Sequence, residues 1–134
     1  MYKPEQGEYN AYYSNYISQV PEIDIREAYA AQSAELRETF SAIHEDRGSF
    51  AYAEGKWTIK EVLSHLIDGE RIFAYRMLRI SRGDVTPIEG FDQDIYIETS
   101  NANKRSFTEM LDEFELSRKA NVLMLNNLDE TALA

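Results

Sequence analysis

The sequence predicts an all-α bundle, on three observations. Apolar residues recur at the helical period in three long stretches, beginning near Asp24, Thr58 and Ser106. Each stretch opens on a side chain that caps helices, with a glutamate three residues later. No segment reads as a strand of any length.

In chain order, the first twenty or so residues are rich in tyrosine: Tyr2, Tyr9, Tyr12, Tyr13 and Tyr16. They read as an extended arm with a short helical turn over "NAYYSNYISQV", stopped by Pro21. The rings are expected to cover one end of the core with their hydroxyls wet; a ligand cage is the alternative. The first long helix starts after Asp24, with Glu27 at the capping-box spacing. Its inward positions are Ile25, Tyr29, Leu36, Phe40 and Ile43, and Gly48 is expected to end it. The second helix has Thr58 and Glu61 as its box, with Trp57 poised to pack on Val62 as a hydrophobic staple. Ile59, Val62, Leu63, Leu66, Phe73, Met77 and Ile80 form its stripe, and Gly83 ends it by taking positive φ. The loop "GDVTPIEGFDQDIYIETSNANK" is long for a bundle connection, so it either packs over one end of the core or has a role. The third helix pairs Ser106 with Glu109 and turns Phe107, Met110, Leu111, Phe114, Leu125 and Leu128 inward. A bundle of such helices is usually closed by a fourth. Here the N-terminal arm closes it, a partner does, or the chain ends before its natural fold does.

A chain of 134 residues with 43 % hydrophobic content is one domain with a real core. No apolar run approaches the length of a membrane span, and "MYKPEQGEYNAYYSNY" lacks the basic start and apolar block of a signal peptide. There are no cysteines, which removes disulfides, thiolate ligands and a cysteine nucleophile. The expected location is the cytoplasm, with no membrane partner. The formal charge of −10 repels a polyanion, and the basic residues do not cluster, so nucleic acid is not an expected partner.

Placing residues at 100° steps puts Glu70 close to the centre of the second helix's apolar stripe. A carboxylate taken from water costs several kcal/mol unless it is paired. Arg118 lies near the middle of the third helix's stripe, with Asn121 and Ser117 nearby. One reading is a buried Glu70–Arg118 pair with Asn121 adding hydrogen bonds, since the planar guanidinium meets a carboxylate with two bonds. The other is that helix rotation lets Glu70 reach solvent. His65 lies on the flank of the stripe, with Glu61 and Asp68 a turn to either side. By periodicity alone it reads as a half-buried imidazole bonded to a carboxylate, since a zinc-type centre needs three or four convergent donors. His44, at the frayed end of the first helix, reads as surface. There is no nucleophile elbow, Walker loop, dinucleotide fingerprint or H-E-x-x-H.

The stretch from Trp57 to Asp84, "WTIKEVLSHLIDGERIFAYRMLRISRGD", nevertheless resembles the DinB-like (YfiT-related) four-helix-bundle proteins. Their second helix carries H-L-x-D-x-E followed by arginine. "GFDQDIY", "EFELSRKANVLMLNNL" and "YISQVPEIDI" resemble their post-helix loop, third helix and N-terminal entry. The resemblance implies one DinB-like domain over 1–134, incomplete at its C-terminus, with three long helices present and the fourth missing or supplied otherwise. It implies a metal-dependent enzyme, a hydrolase or a low-molecular-weight-thiol S-transferase, acting on a small molecule or thiol. Such proteins hold a divalent ion, often nickel or zinc, by three histidines. His65 matches the one on the second helix. Asp68 and Glu70 match supporting carboxylates, and Arg118 matches the partner of Glu70. The two histidines expected on a fourth helix have no counterpart in this chain. The competing expectation is a non-catalytic helical module that forms a homodimer through the apolar faces a fourth helix would cover.

Overall fold

A computed structural model of the chain describes residues 3–21, 23–129 and 132. Among them every regular element is helical: α1 (Ser14–Gln19), α2 (Ile25–Ser41), α3 (Ile59–Ser81), α4 (Gln93–Thr99) and α5 (Phe107–Asn126). Short 3-10 turns lie at Ala11–Tyr13, Glu45–Arg47 and Ala102–Lys104. α5 packs against both α2 and α3 and forms the middle of the long-helix assembly. The core joins Phe40 of α2, Leu63 and Ile67 of α3, and Phe107, Met110, Leu111 and Phe114 of α5. No helix of the described residues is long and apolar enough to cross a membrane.

The ends of α3 follow from its sequence. The Glu61 N–H donates to Thr58 Oγ1 (3.2 Å) and the Thr58 N–H donates to Glu61 Oε2 (2.7 Å), so the capping box closes in both directions. At the other end Gly83 takes φ +69. There the Asp84 N–H reaches the Arg79 carbonyl (3.0 Å) and the Gly83 N–H reaches that of Ile80 (2.9 Å), the paired bonds of a Schellman motif.

The other two boxes close only halfway. Asp24 accepts from the Arg26 N–H (2.8 Å) and binds the Arg26 guanidinium, leaving Glu27 outside the cap. Ser106 accepts from the Glu109 N–H (3.2 Å), but the Glu109 carboxylate turns to Arg105 Nε (3.1 Å).

Gly48 does not end α2, which stops at Ser41. Its φ of −56 needs no glycine. It is placed where a Cβ would sit 2.5 Å from Lys60 Cε, so the requirement is close approach. The Lys60 ammonium is buried, ion-paired with Glu45 and set 5.5 Å from the centre of the Phe107 ring. Glu45 Oε2 also accepts the Phe107 N–H (3.0 Å). One carboxylate thus ties the α2–α3 connection to α3 and satisfies a free donor at the start of α5.

The long loop after α3 packs over the core. It contains α4, and it buries Ile97 and Ala102.

Two further expectations are corrected. The N-terminal tyrosines form the expected helical turn but do not cover the core. Tyr12, Tyr13 and Tyr16 are exposed and rest on one another, with ring centres 5.2 Å and 6.1 Å from Tyr12. Tyr2 lies outside the described residues. The buried face of α3 is also turned from the apolar stripe by about a quarter-turn. Lys60, Leu63, Ser64, Ile67 and Glu70 are buried, whereas Val62, Phe73 and Ile80 are exposed. The physical reason is that α5 covers α3 on the Leu63–Ile67 side, and no described helix lies over the other flank.

The packing makes a direct prediction for stability. Phe114→Ala should lower the unfolding free energy by about 3–5 kcal/mol. Leu116→Ala, on the exposed face of the same helix, should change it by less than about 0.5 kcal/mol. Urea denaturation of the two variants checks both values.

Candidate functional site: a buried carboxylate cluster and a histidine on α3

The interior polar cluster is built from three helices. Glu70 of α3, Arg118 of α5 and Asn121 of α5 are each buried. Arg118 Nη2 donates to Glu70 Oε1 (2.6 Å), and Asn121 Nδ2 donates to Glu70 Oε2 (3.0 Å) and to the Glu70 carbonyl (3.2 Å). The Tyr29 hydroxyl of α2 donates to the same carboxylate, 3.1 Å from Oε2. Arg118 Nη1 turns to the Tyr29 carbonyl (2.9 Å) and Gln32 Oε1 (3.0 Å). The guanidinium carbon lies 3.8 Å from the centre of the Tyr29 ring, a close cation–π contact. Of the two readings left open by periodicity, the buried pair is the one observed.

The cluster is nearly complete in hydrogen bonds. Arg118 Nε alone, among buried side-chain polar atoms of the described residues, has no partner. Burial, followed by the negative charge of Glu70, pushes the Tyr29 phenol up to about 12. The neutral phenol is therefore the form the fold prefers.

Periodicity did not single out Tyr29 and Gln32 as cluster members. The signal available for Tyr29 was its place on the inward face of α2, because a buried phenol usually needs a partner for its hydroxyl. Gln32 follows one helical turn later and shares that face.

His65 sits on the other flank of α3, half-buried. Its ring rests on Trp57, with centres 5.0 Å apart and planes inclined at 49°. The expected carboxylate bond is not formed. Glu61 is spent on the cap and on Asn103 Nδ2 (2.9 Å). Asp68 makes no side-chain hydrogen bond among the described residues. Burial raises its carboxyl, and nearby Arg71 and His65 partly oppose that rise. Asp68 instead lines a cavity of about 330 Å³ with Ser64, Arg71, Tyr96 and Arg105. His44 is on the surface, as expected, with Nδ1 2.8 Å from Asp46 Oδ1.

The structure thus joins Glu70 and Arg118, and keeps His65 and Asp68 together on a neighbouring face of α3. Among the described residues no three His, Asp or Glu side chains are grouped to hold a metal ion. His65 provides a single imidazole, so these residues do not by themselves complete the three-ligand centre that the resemblance implies.

Trp57, whose ring meets His65, is also a wall of a cavity of about 640 Å³ at the N-terminal end of α3. Phe50, Tyr52, Val62 and Asp94 share that lining.

The cluster generates two predictions. Arg118→Met should cost about 3–5 kcal/mol, because it strands a buried carboxylate, whereas Glu70→Leu/Arg118→Met should recover most of that loss. Thermal and urea unfolding of the single and double variants tests this. Tyr29→Phe should cost about 1 kcal/mol at neutral pH. In the wild type, the raised phenol contributes stability below pH 10 that is lost as pH rises through about 12. The phenylalanine variant lacks that loss, so the gap between the two proteins should narrow above pH 10 in denaturation curves.

The family model described as the DinB superfamily matches residues 28–134. No curated protein and no solved structure matches the chain. The matched region contains the cluster, His65 and both cavities named above, and the chain belongs to the DinB superfamily.

Proposed function

We propose that this chain is the scaffold of a metal-dependent enzyme in which His65 donates to a divalent ion, nickel or zinc, and that it acts in the cytoplasm. The reaction class is hydrolysis of a small molecule or transfer to a low-molecular-weight thiol. The observation that supports this most directly is His65 itself. Its ring nitrogens are uncommitted among the described residues, its ring is held by Trp57, and it occupies the histidine of the H-L-x-D-x-E pattern. An imidazole with no hydrogen-bond partner among the described residues and with one face packed is available to donate to an ion. Its fellow donors would come from outside the described residues of one copy.

Asp68, one turn from His65 and held partly out of water, would accept a hydrogen bond or a proton at the edge of the site. Glu70 and Arg118 would act beneath it, fixing the rotation of α3 against α2 and α5 and so the direction of His65. A bound divalent ion would supply charge to polarise a water or favour a thiolate.

A second reading has its own support. Val62, Phe73 and Ile80 leave an exposed apolar face along α3, the kind of surface through which a helical module dimerises.

Titration with nickel and with zinc, followed by calorimetry, compares wild type with His65→Ala. The variant should lose at least about tenfold in affinity; equal affinities would remove His65 from the account. Sedimentation velocity addresses the second reading. A dimer abolished by Phe73→Glu and Ile80→Glu together, with no metal dependence of stability, would favour the module.

A further inference from the structure

We propose that the cavity at the N-terminal end of α3 binds a small planar aromatic molecule. Three rings, Phe50, Tyr52 and Trp57, converge on one space of about 640 Å³, a volume in the range of small-molecule sites. Phe50 is 48 % exposed and Tyr52 75 % exposed, so this aromatic surface stands in water without cover. The segment that carries the rings is tied at both ends. The Phe50 N–H donates to the Arg47 carbonyl (2.9 Å) and the Phe50 carbonyl accepts the Ile59 N–H (3.1 Å). The Lys60 N–H bonds the Gly48 carbonyl (3.0 Å), and the Arg47 guanidinium lies 4.8 Å from the centre of the Phe50 ring. Phe50 and Trp57 are therefore presented in advance, which reduces the ordering that binding would otherwise require.

A planar ring suits this lining better than an aliphatic one. Aromatic faces stack or meet edge-on with a gain beyond area alone. Lys56 and Asp94 also line the cavity, and neither is in an ion pair among the described residues. A polar substituent on the ring therefore has a charge of either sign to meet. The shared wall, Trp57, would bring the ligand's edge toward His65. That link to chemistry rests on the function proposed above; binding of the ring does not.

The chain has one tryptophan, so the Trp57 indole N–H is a single NMR resonance. Metal-free protein, held in EDTA, is titrated with 2-naphthoate, 2-naphthylmethylammonium and their decalin analogues. At least one naphthyl probe should shift that resonance saturably, and the decalin analogue of the same charge, decalin-2-carboxylate for the anion or decalin-2-ylmethylammonium for the cation, should bind at least about fivefold more weakly. Tyr52→Ala should weaken naphthyl binding about fivefold with an unchanged helical circular dichroism spectrum, while Tyr13→Ala, outside the cavity, should have no effect. The tighter of the two naphthyl probes identifies the rim charge in use. No saturable shift, equal binding of the like-charged decalin analogue, or an inert Tyr52→Ala would overturn the proposal. Because no metal is present, such a failure leaves the His65 titration untouched, and the converse also holds.

Discussion

A carboxylate at the meeting point of three helices is the constraint on which this fold turns. Glu70 is buried, and an unpartnered carboxylate there would be costly. Its partners are side chains from α2 and α5: the Tyr29 phenol, the Arg118 guanidinium and the Asn121 amide. Those bonds are satisfied together only at one rotation and one height of α3. Apolar packing between Leu63, Ile67 and Phe114 tolerates small slips; a carboxylate with three directional donors does not. The cluster thus specifies register, while the surrounding core supplies most of the stability.

That register has consequences on the opposite flank of α3. With Glu70 facing α5, Val62, Phe73 and Ile80 face outward, and His65 stands at the border between covered and open helix. Among the described residues the imidazole is held by an aromatic neighbour, not by a carboxylate, so its nitrogens stay uncommitted there. Shorter ties position the surroundings. Glu45 bridges Lys60 and the start of α5, and Glu113 of α5 bridges Arg71 and Arg105. These contacts pin the connections that carry Phe50 and α4 against the start and the middle of α3, which is how loop residues come to wall a cavity.

Much of this architecture was legible in the sequence. The capping box at Thr58, the stop at Gly83 and the inward face of α5 follow from local rules that act within a turn or two. The Glu70–Arg118–Asn121 contact was legible for a different reason. Two polar residues centred on apolar stripes have few places to go, and the cost of leaving either alone exceeds that of bringing them together. Tyr29 and Gln32 were not legible as partners, because a donor to Glu70 can come from any neighbouring helix and their own pattern does not say which. The purpose of Gly48 was hidden for a similar reason: its neighbour, the Lys60 side chain, is brought close only by the folded loop.

The sequence by itself determined where the long helices begin, where α3 ends, and that Glu70 and Arg118 were candidates to meet. Only the tertiary structure decided which flank of α3 is covered, that Trp57 and not a carboxylate meets His65, and that the tyrosine arm stays in water. Periodicity defines an apolar stripe no more narrowly than the stripe is wide. Which part of that width is buried depends on where the neighbouring helices lie, and that is a property of the assembled chain.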